Sequence, residues 1–301
     1  MTKYLTYPKN RPVRLWNVNC PYCGRKFDAG TVINEEHVVG RKFVPKGTME
    51  NQFNLILNAC KVCNDIKSQL EDDISVISMI PRSASRPPEV EAMLASEVAR
   101  KAHGSGSRRT GRSVAKSEER VELKGQFGGA TFTFGFIAPP QVDEDRAYKL
   151  AQMHFDAFFF EAHYSEHSKL GGFFPHRHHY NAGYFPRSNW GDQRSKWFMD
   201  TTAEWPLIAA VGTAKGYFRL IIRHSPCQTM WSCAVEWNCS VRVMRILGKD
   251  ADVLKTLINT GPQPNATWHK DSDGNPTRAA VERELDAADD RLFIVTESEG
   301  A

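Results

Sequence analysis

The sequence contains no run of about eighteen apolar residues, the length that a membrane-spanning helix needs. Its first residues, MTKYLTYPKNRPVRLWN, carry charges but lack the apolar stretch of a secretory signal peptide. No segment repeats along the chain, so repeat architectures are not expected. These absences predict a protein that works in the cytoplasm and away from membranes.

A strong net charge of either sign is also missing. The formal net charge is +4 and the isoelectric point is about 8.6, which permits nucleic-acid binding without requiring it. Apolar residues make up 41% of the 301 residues and charged residues 25%, a composition typical of globular proteins. A chain of this length is long enough for two domains, and one large domain is the alternative.

Four of the seven cysteines form two C-x2-C pairs, Cys20 with Cys23 and Cys60 with Cys63. Disulfides are rare in a reducing compartment, so these cysteines are not expected to be disulfide-bonded. The first pair, C-P-Y-C, is similar to the active site of glutaredoxins, which makes a thiol oxidoreductase one alternative. Two such pairs can instead supply four sulfurs to one tetrahedral zinc, and only this interpretation accounts for both pairs. We therefore predict a structural zinc site.

A second pattern lies between and after the two cysteine pairs. It begins with two acidic residues and a histidine at 35–37, continues to Asn54, and places Asn64 directly after the last cysteine. In its residue types and their order, this pattern resembles the HNH nuclease family over about residues 18–73. The resemblance implies a small ββα-metal domain with a four-cysteine zinc knuckle.

The resemblance also implies a role for each residue of the pattern. His37 would act as the general base, and Asn54 would orient the loop that carries it. Glu36 and Asn64 would hold one catalytic divalent metal, Mg²⁺ or Mn²⁺. Glu35 competes with Glu36 as the acidic ligand, because the two residues are adjacent.

Phosphodiester hydrolysis requires the same residue types for chemical reasons. An attacking water needs a base, and a histidine with an ordinary pKa of about 6.5 is largely neutral at pH 7. Carboxylate and amide oxygens suit Mg²⁺ or Mn²⁺, whereas thiolate sulfur suits zinc. Lys67 would lie one helical turn after Asn64, so it could contact a phosphate of a bound nucleic acid. Arg41 could do the same from the loop after His37.

Together these patterns predict a metal-dependent DNA endonuclease of the HNH type, with structural Zn²⁺ and catalytic Mg²⁺ or Mn²⁺. RNA is left open as a second substrate. A homodimer is also left open, because one such site cuts one strand. The alternative function is a zinc-containing module that binds nucleic acid without cleaving it.

The sequence predicts an α+β fold in three parts. Residues 1–80 would form the nuclease domain with its zinc knuckle, 81–120 a helix and a basic flexible linker, and 121–301 a larger α+β domain of unrecognised family and unknown role. The Lys- and Arg-rich run at 100–124 is either a solvated linker or a phosphate-binding segment.

Within residues 121–301, hydrophobic periodicity predicts the individual elements. The predicted strands lie at 131–136, 206–211, 215–224, 229–238, 241–247 and 291–296. Three helices are predicted. One begins after Asp143, and the other two lie near 250–259 and 277–288. Residues 165–203, rich in Gly, His and aromatic residues, are predicted to be mostly loop.

Overall fold

A computed structural model of the chain describes residues 11–80, 86–127, 130–263, 267–270, 276–279 and 282–295. These residues form a mixed α+β structure, as the sequence predicted. Within these ranges, no helix combines the length and the apolar content that crossing a bilayer requires.

The N-terminal part is a three-stranded sheet with one helix against it. Its elements are β1 (Val13–Arg14), β2 (Ile33–His37), β3 (Leu55–Cys60) and α1 (Lys61–Ile77). The central strand β3 is antiparallel to β2 and parallel to β1. Because α1 begins directly after β3, Cys60 and Cys63 lie at the junction between strand and helix.

The next segment packs against α1. It contains α2 (Pro88–Lys101), which lies where a helix was predicted, and leads to a hairpin of β4 (Glu119–Phe127) and β5 (Ala130–Ala138). The Asp73 carboxylate of α1 accepts a hydrogen bond from the Arg108 main-chain amide at 3.0 Å. Arg109 pairs with the buried Glu119 at 2.7 Å. These acidic groups hold in place part of the segment that was predicted to be a flexible linker.

The C-terminal part contains a five-stranded antiparallel sheet with helices beside it. The strands are β6 (His178–Pro186), β7 (Leu207–Thr213), β8 (Phe218–His224), β9 (Met230–Trp237) and β10 (Val241–Gly248). The helices are α3 (Glu144–Ala162), α4 (Gln193–Thr202) and α5 (Ala251–Ile258). The order in the sheet is β6-β10-β9-β8-β7, and a second hairpin pairs β11 (Thr267–Lys270) with β12 (Pro276–Ala279).

Several predicted elements of this part are confirmed. Strands β7 to β10 and helices α3 and α5 lie where the periodicity placed them, and β5 covers the strand predicted at 131–136. Asp143 caps α3, because its carboxylate accepts a hydrogen bond from the Arg146 amide at 3.0 Å.

Three other predictions in this part were wrong. Residues 165–203 are not mostly loop, because β6 pairs with β10 and α4 follows. The described part of 277–288 does not form the predicted helix, since 277–279 belong to β12, which pairs with β11, and only a short 3-10 turn begins at Ala287. Residues 291–295 form a turn rather than a strand, with Leu292 buried in the core beneath α4.

One hydrophobic core joins the N-terminal sheet to the five-stranded sheet. Phe43 lies 5.6 Å from Trp237, measured between ring centroids, and both rings are buried. The Asn238 amide donates hydrogen bonds to the Phe43 carbonyl at 3.3 Å and to Ser78 Oγ at 2.9 Å. The turn between β9 and β10 therefore contacts and supports the segment that follows β2. The boundaries of the three predicted parts, at residues 80 and 120, stay a prediction from the sequence.

Candidate functional site

The four paired cysteines converge on one point. Their Sγ atoms all lie within 4.8 Å of one another, and those of Cys23 and Cys60 are 3.8 Å apart. A tetrahedral zinc with Zn–S bonds of about 2.3 Å would hold its sulfurs about 3.8 Å apart. The cluster can therefore bind a metal ion, and its donor set fits zinc.

The first cysteine pair lies in a tight turn. The amide of Gly24 donates to the Cys20 carbonyl at 2.9 Å, and the Cys20 amide donates to the Arg25 carbonyl at 2.8 Å. Gly24 has φ of +74°, a conformation that favours glycine. A redox-active C-x2-C pair would place Cys20 at a helix N-terminus, where the helix dipole lowers the thiol pKa. Here Cys20 lies in a turn instead, next to the bridge between Asn19 and Lys26.

Strand β2 presents its two glutamates to opposite sides of the sheet. Glu36 is buried and faces α1, whereas Glu35 and His37 lie on the opposite, more exposed side. The Nε2 atom of His37 is 3.7 Å from Oε1 of Glu35. Glu35 also pairs with Arg14 of β1, at 2.6 Å. Of the two candidate acidic ligands, Glu35 therefore shares the face of His37, and Glu36 shares the side of α1.

Lys67 lies in the interior, between two carboxylates. Its Nζ atom is 2.7 Å from Oε1 of Glu36 and 2.6 Å from Oε1 of Glu71, and its side chain is 1% exposed. Burial opposes the charge, but the carboxylates of Glu71 and Glu36 still raise the pKa of Lys67 above its usual value. Burial raises the pKa of Glu71. The phosphate contact predicted for Lys67 does not fit this position, because the ammonium group neutralises internal carboxylates and does not reach the surface.

The loop after His37 is held by Asn54, which directly precedes β3, and by side chains of α1. The Asn54 side chain accepts a hydrogen bond from the Val39 amide at 3.2 Å and donates one to the Val39 carbonyl at 2.9 Å. Lys67 Nζ is 3.4 Å from the carbonyl oxygen of His37. A Cβ atom placed on Gly40 would lie 2.7 Å from Oε2 of Glu71, so only glycine fits there without displacing that carboxylate.

His37 itself is half-buried at the end of β2. Burial lowers the pKa of its imidazole below the usual value, and the charge of Arg41 lowers this pKa further. Arg41 is exposed. Asn64 is half-buried in the first turn of α1, one turn before Lys67, and α1 packs against β2.

Two contributors to this site were not identified in the sequence. Glu71 was missed, although its spacing of four residues from Lys67 on a helix was a usable signal. Tyr22 was missed because its OH group reaches Glu36 Oε1, at 3.4 Å, only when the cysteine turn folds against β2.

No family model, no curated protein and no solved structure matches this chain.

Proposed function

We propose that the protein is a metal-dependent endonuclease that hydrolyses DNA phosphodiester bonds with His37 as the general base. The observation that best supports this proposal is the pair of hydrogen bonds between the Asn54 side chain and the main chain of Val39. These bonds fix the loop two residues after the histidine, and a general base must be held in one orientation to accept a proton efficiently.

In the proposed reaction, His37 accepts a proton from the water that attacks the phosphorus atom. Its Nε2 atom is 3.7 Å from the Glu35 carboxylate, whose negative charge would stabilise the protonated imidazole. Asn54 and Lys67 keep the loop in place through their bonds to the main chain of Val39 and His37. The exposed Arg41 can contact a phosphate.

The donor set for a catalytic metal consists of Glu36 on β2 and Asn64 on α1, two elements that pack against each other. Their oxygens are hard ligands that suit Mg²⁺ or Mn²⁺. When bound there, such a cation would supply positive charge against the charge that develops on the phosphate. Lys67 and Tyr22 both contact Oε1 of the Glu36 carboxylate, so Oε2 would be the oxygen left for a cation.

The experiment is plasmid nicking with Mg²⁺ or Mn²⁺ by the full chain and by His37→Ala. We expect the variant to lose about 100-fold or more of the nicking rate, because general-base catalysis contributes at least that much. His178→Ala is the matched control, since His178 is an exposed histidine on β6 of the five-stranded sheet. Equal rates for wild type and His37→Ala would contradict the proposal.

A second pair of variants separates the two glutamates. Glu36→Gln should abolish the metal-dependent rate, and Glu35→Gln should lower the rate while leaving its dependence on metal concentration unchanged. The opposite pattern would show that Glu35, and not Glu36, holds the metal.

Labelled RNA of the same sequence, tested in parallel, shows whether RNA is also cut.

The alternative function is a zinc-containing module that binds nucleic acid without cleaving it. The Lys67 ammonium favours this alternative, because it already neutralises the carboxylate that would have to attract a cation. If wild type and His37→Ala both fail to nick DNA with every metal tested, while DNA binding persists, this second function is the correct one.

A further inference from the structure

The three-stranded sheet has an outer face that no described residue buries. Residues alternate between two sides, so Leu15, Leu55 and Leu57 are buried toward α1. The outer face, as we name it, consists of Arg14, Trp16, Ile33, Glu35, His37, Ile56 and Asn58, which are all exposed or half-buried. This face therefore carries the candidate base together with a large aromatic side chain.

Trp16 extends the sheet just beyond β1. The Leu15 amide donates to the Ile56 carbonyl at 2.8 Å, and the Asn17 side chain accepts from the Asn58 amide at 2.8 Å. These bonds fix the main chain on both sides of Trp16, so its side chain projects from a rigid element. Its exposed fraction is 57%, which is high for a side chain with such a large apolar surface.

A continuous series of contacts links Trp16 to His37 across the outer face. The guanidinium carbon of Arg14 lies 4.1 Å from the centre of the indole ring. The same guanidinium pairs with Glu35 at 2.6 Å, and Glu35 lies 3.7 Å from His37. One side of the indole is therefore covered by a cation, which is held by the same carboxylate that approaches the candidate base.

An indole that has a guanidinium on one side and solvent on the other can stack with a nucleobase. Charge also favours a nucleic acid over an apolar protein surface. Glu35, the acidic residue of the outer face, is already neutralised by Arg14. Three exposed cations flank the face. Arg41 follows His37, and Arg25 and Lys26 lie in the segment that pairs with residues 18–20, together with one exposed acid, Asp28.

We propose that Trp16, supported by Arg14, is a stacking platform for an unpaired base of the nucleic-acid strand that approaches His37. This proposal rests on the proposed function and specifies its substrate, because a base can stack on the indole only when it has left its own helix. Single strands, flaps and locally melted duplexes are then preferred over intact duplex DNA. The preference does not depend on base identity, since every base has an aromatic face.

The test measures binding in the His37→Ala background of the full chain, which prevents cleavage during the measurement. The probe is a fluorescently labelled oligothymidylate, compared with a duplex of equal length at one fixed salt concentration. Trp16→Ala should weaken oligothymidylate binding about tenfold, within the range that base–aromatic stacking contributes. Trp16→Phe should retain most of the affinity, and the duplex should be affected less than the single strand. Val62→Ala, which truncates a 63% exposed side chain on α1, is the control and should change nothing.

Two results would overturn the platform. Unchanged oligothymidylate affinity in Trp16→Ala shows that no base stacks there. A large fall in melting temperature for Trp16→Ala, or a concentration-dependent change in its oligomeric state, shows that another part of the chain or a second copy covers the indole.

The platform and the nuclease proposal can fail separately. If wild type nicks DNA but Trp16→Ala binds and cuts as wild type does, the platform is wrong and the nuclease proposal stands. If wild type does not nick DNA but Trp16→Ala loses single-strand affinity, the platform is correct and belongs to a binding module.

Discussion

The Nζ atom of Lys67 lies 2.7 Å from Oε1 of Glu36, and both side chains are removed from solvent. Glu71 supplies a second carboxylate at 2.6 Å from the same nitrogen. A buried charge is tolerated only when it is paired and hydrogen-bonded, so the three groups depend on one another. The surface of the candidate site is thus built on an internal ionic cluster.

Removing the lysine should therefore destabilise the fold strongly. Lys67→Met keeps the length of the side chain but leaves two buried carboxylates without a cation, and we expect a loss of about 3–5 kcal/mol in the free energy of unfolding. Urea denaturation measures this loss. Lys61→Met is the control, because Lys61 is exposed and pairs with Asp65 on the same helix. A Lys67→Met protein as stable as Lys61→Met would show that the cluster contributes little.

Gly40→Ala should also destabilise the protein, through contact with Glu71. The added methyl group would start 2.7 Å from Oε2 of Glu71 and would push that carboxylate away from Lys67. We expect a loss of about 1–3 kcal/mol, the usual range for overpacking, together with slower nicking. Gly106→Ala, where the added atom meets nothing within 4 Å, should be neutral in both assays. Equal melting temperatures for the two variants would contradict this prediction.

Zinc removal should unfold the N-terminal part. Structural zinc contributes about 10–16 kcal/mol of binding free energy in zinc-finger peptides, and that free energy is coupled to folding. Metal analysis of the purified protein should give about one zinc per chain, and Cys60→Ser should lower both this content and the melting temperature. Cys227→Ser, at an exposed cysteine outside the cluster, should retain the zinc. A Cys60→Ser protein with a wild-type melting curve would exclude a structural role for the metal.

Acid should destabilise the protein through His154. This side chain is fully buried among rings that include Phe43 and Trp237, and burial lowers the pKa of its imidazole well below the usual value. Among the described residues, the Glu71 carboxylate lies 4.0 Å from the imidazole, and the charge of Lys67 lowers the pKa of His154 further.

The sign of the pH effect follows from the two pKa values. Below about pH 6.5 the unfolded chain binds a proton at this histidine more strongly than the folded chain does, because the pKa of His154 is lower in the folded state. Stability that is present above that pH is therefore lost as pH falls, with a slope approaching about 1.4 kcal/mol per pH unit. Denaturation at about pH 7.5 and about pH 5.5 should show a smaller difference for His154→Phe than for wild type. His167→Phe, at an exposed position, should behave as wild type does.

The sequence predicted local features better than it predicted which groups pair in space. The cysteine cluster could be found because each C-x2-C pair lies within a few residues of the chain. Helix α3 could be found because its cap Asp143 and its apolar face lie in one continuous segment. The burial of Lys67 could not be predicted, because it depends on Glu36, which lies on another element. Strand β6 was missed because its first residues, His178 and His179, are exposed at the sheet edge and break the apolar alternation.

The contact between Asn238 and Phe43 joins residues that are 195 positions apart in the chain. Synthesis proceeds from the N-terminus, so the ribosome releases the loop next to His37 long before it makes the turn that supports this loop. A nascent or truncated chain that ends before β9 therefore lacks Trp237 and Asn238, and we expect its candidate site to stay unassembled. Protease sensitivity of the first eighty residues on stalled ribosomes, lost once β10 has emerged, would reveal this order. If the protein cuts DNA, such an order would delay its activity until nearly the whole polypeptide has been made.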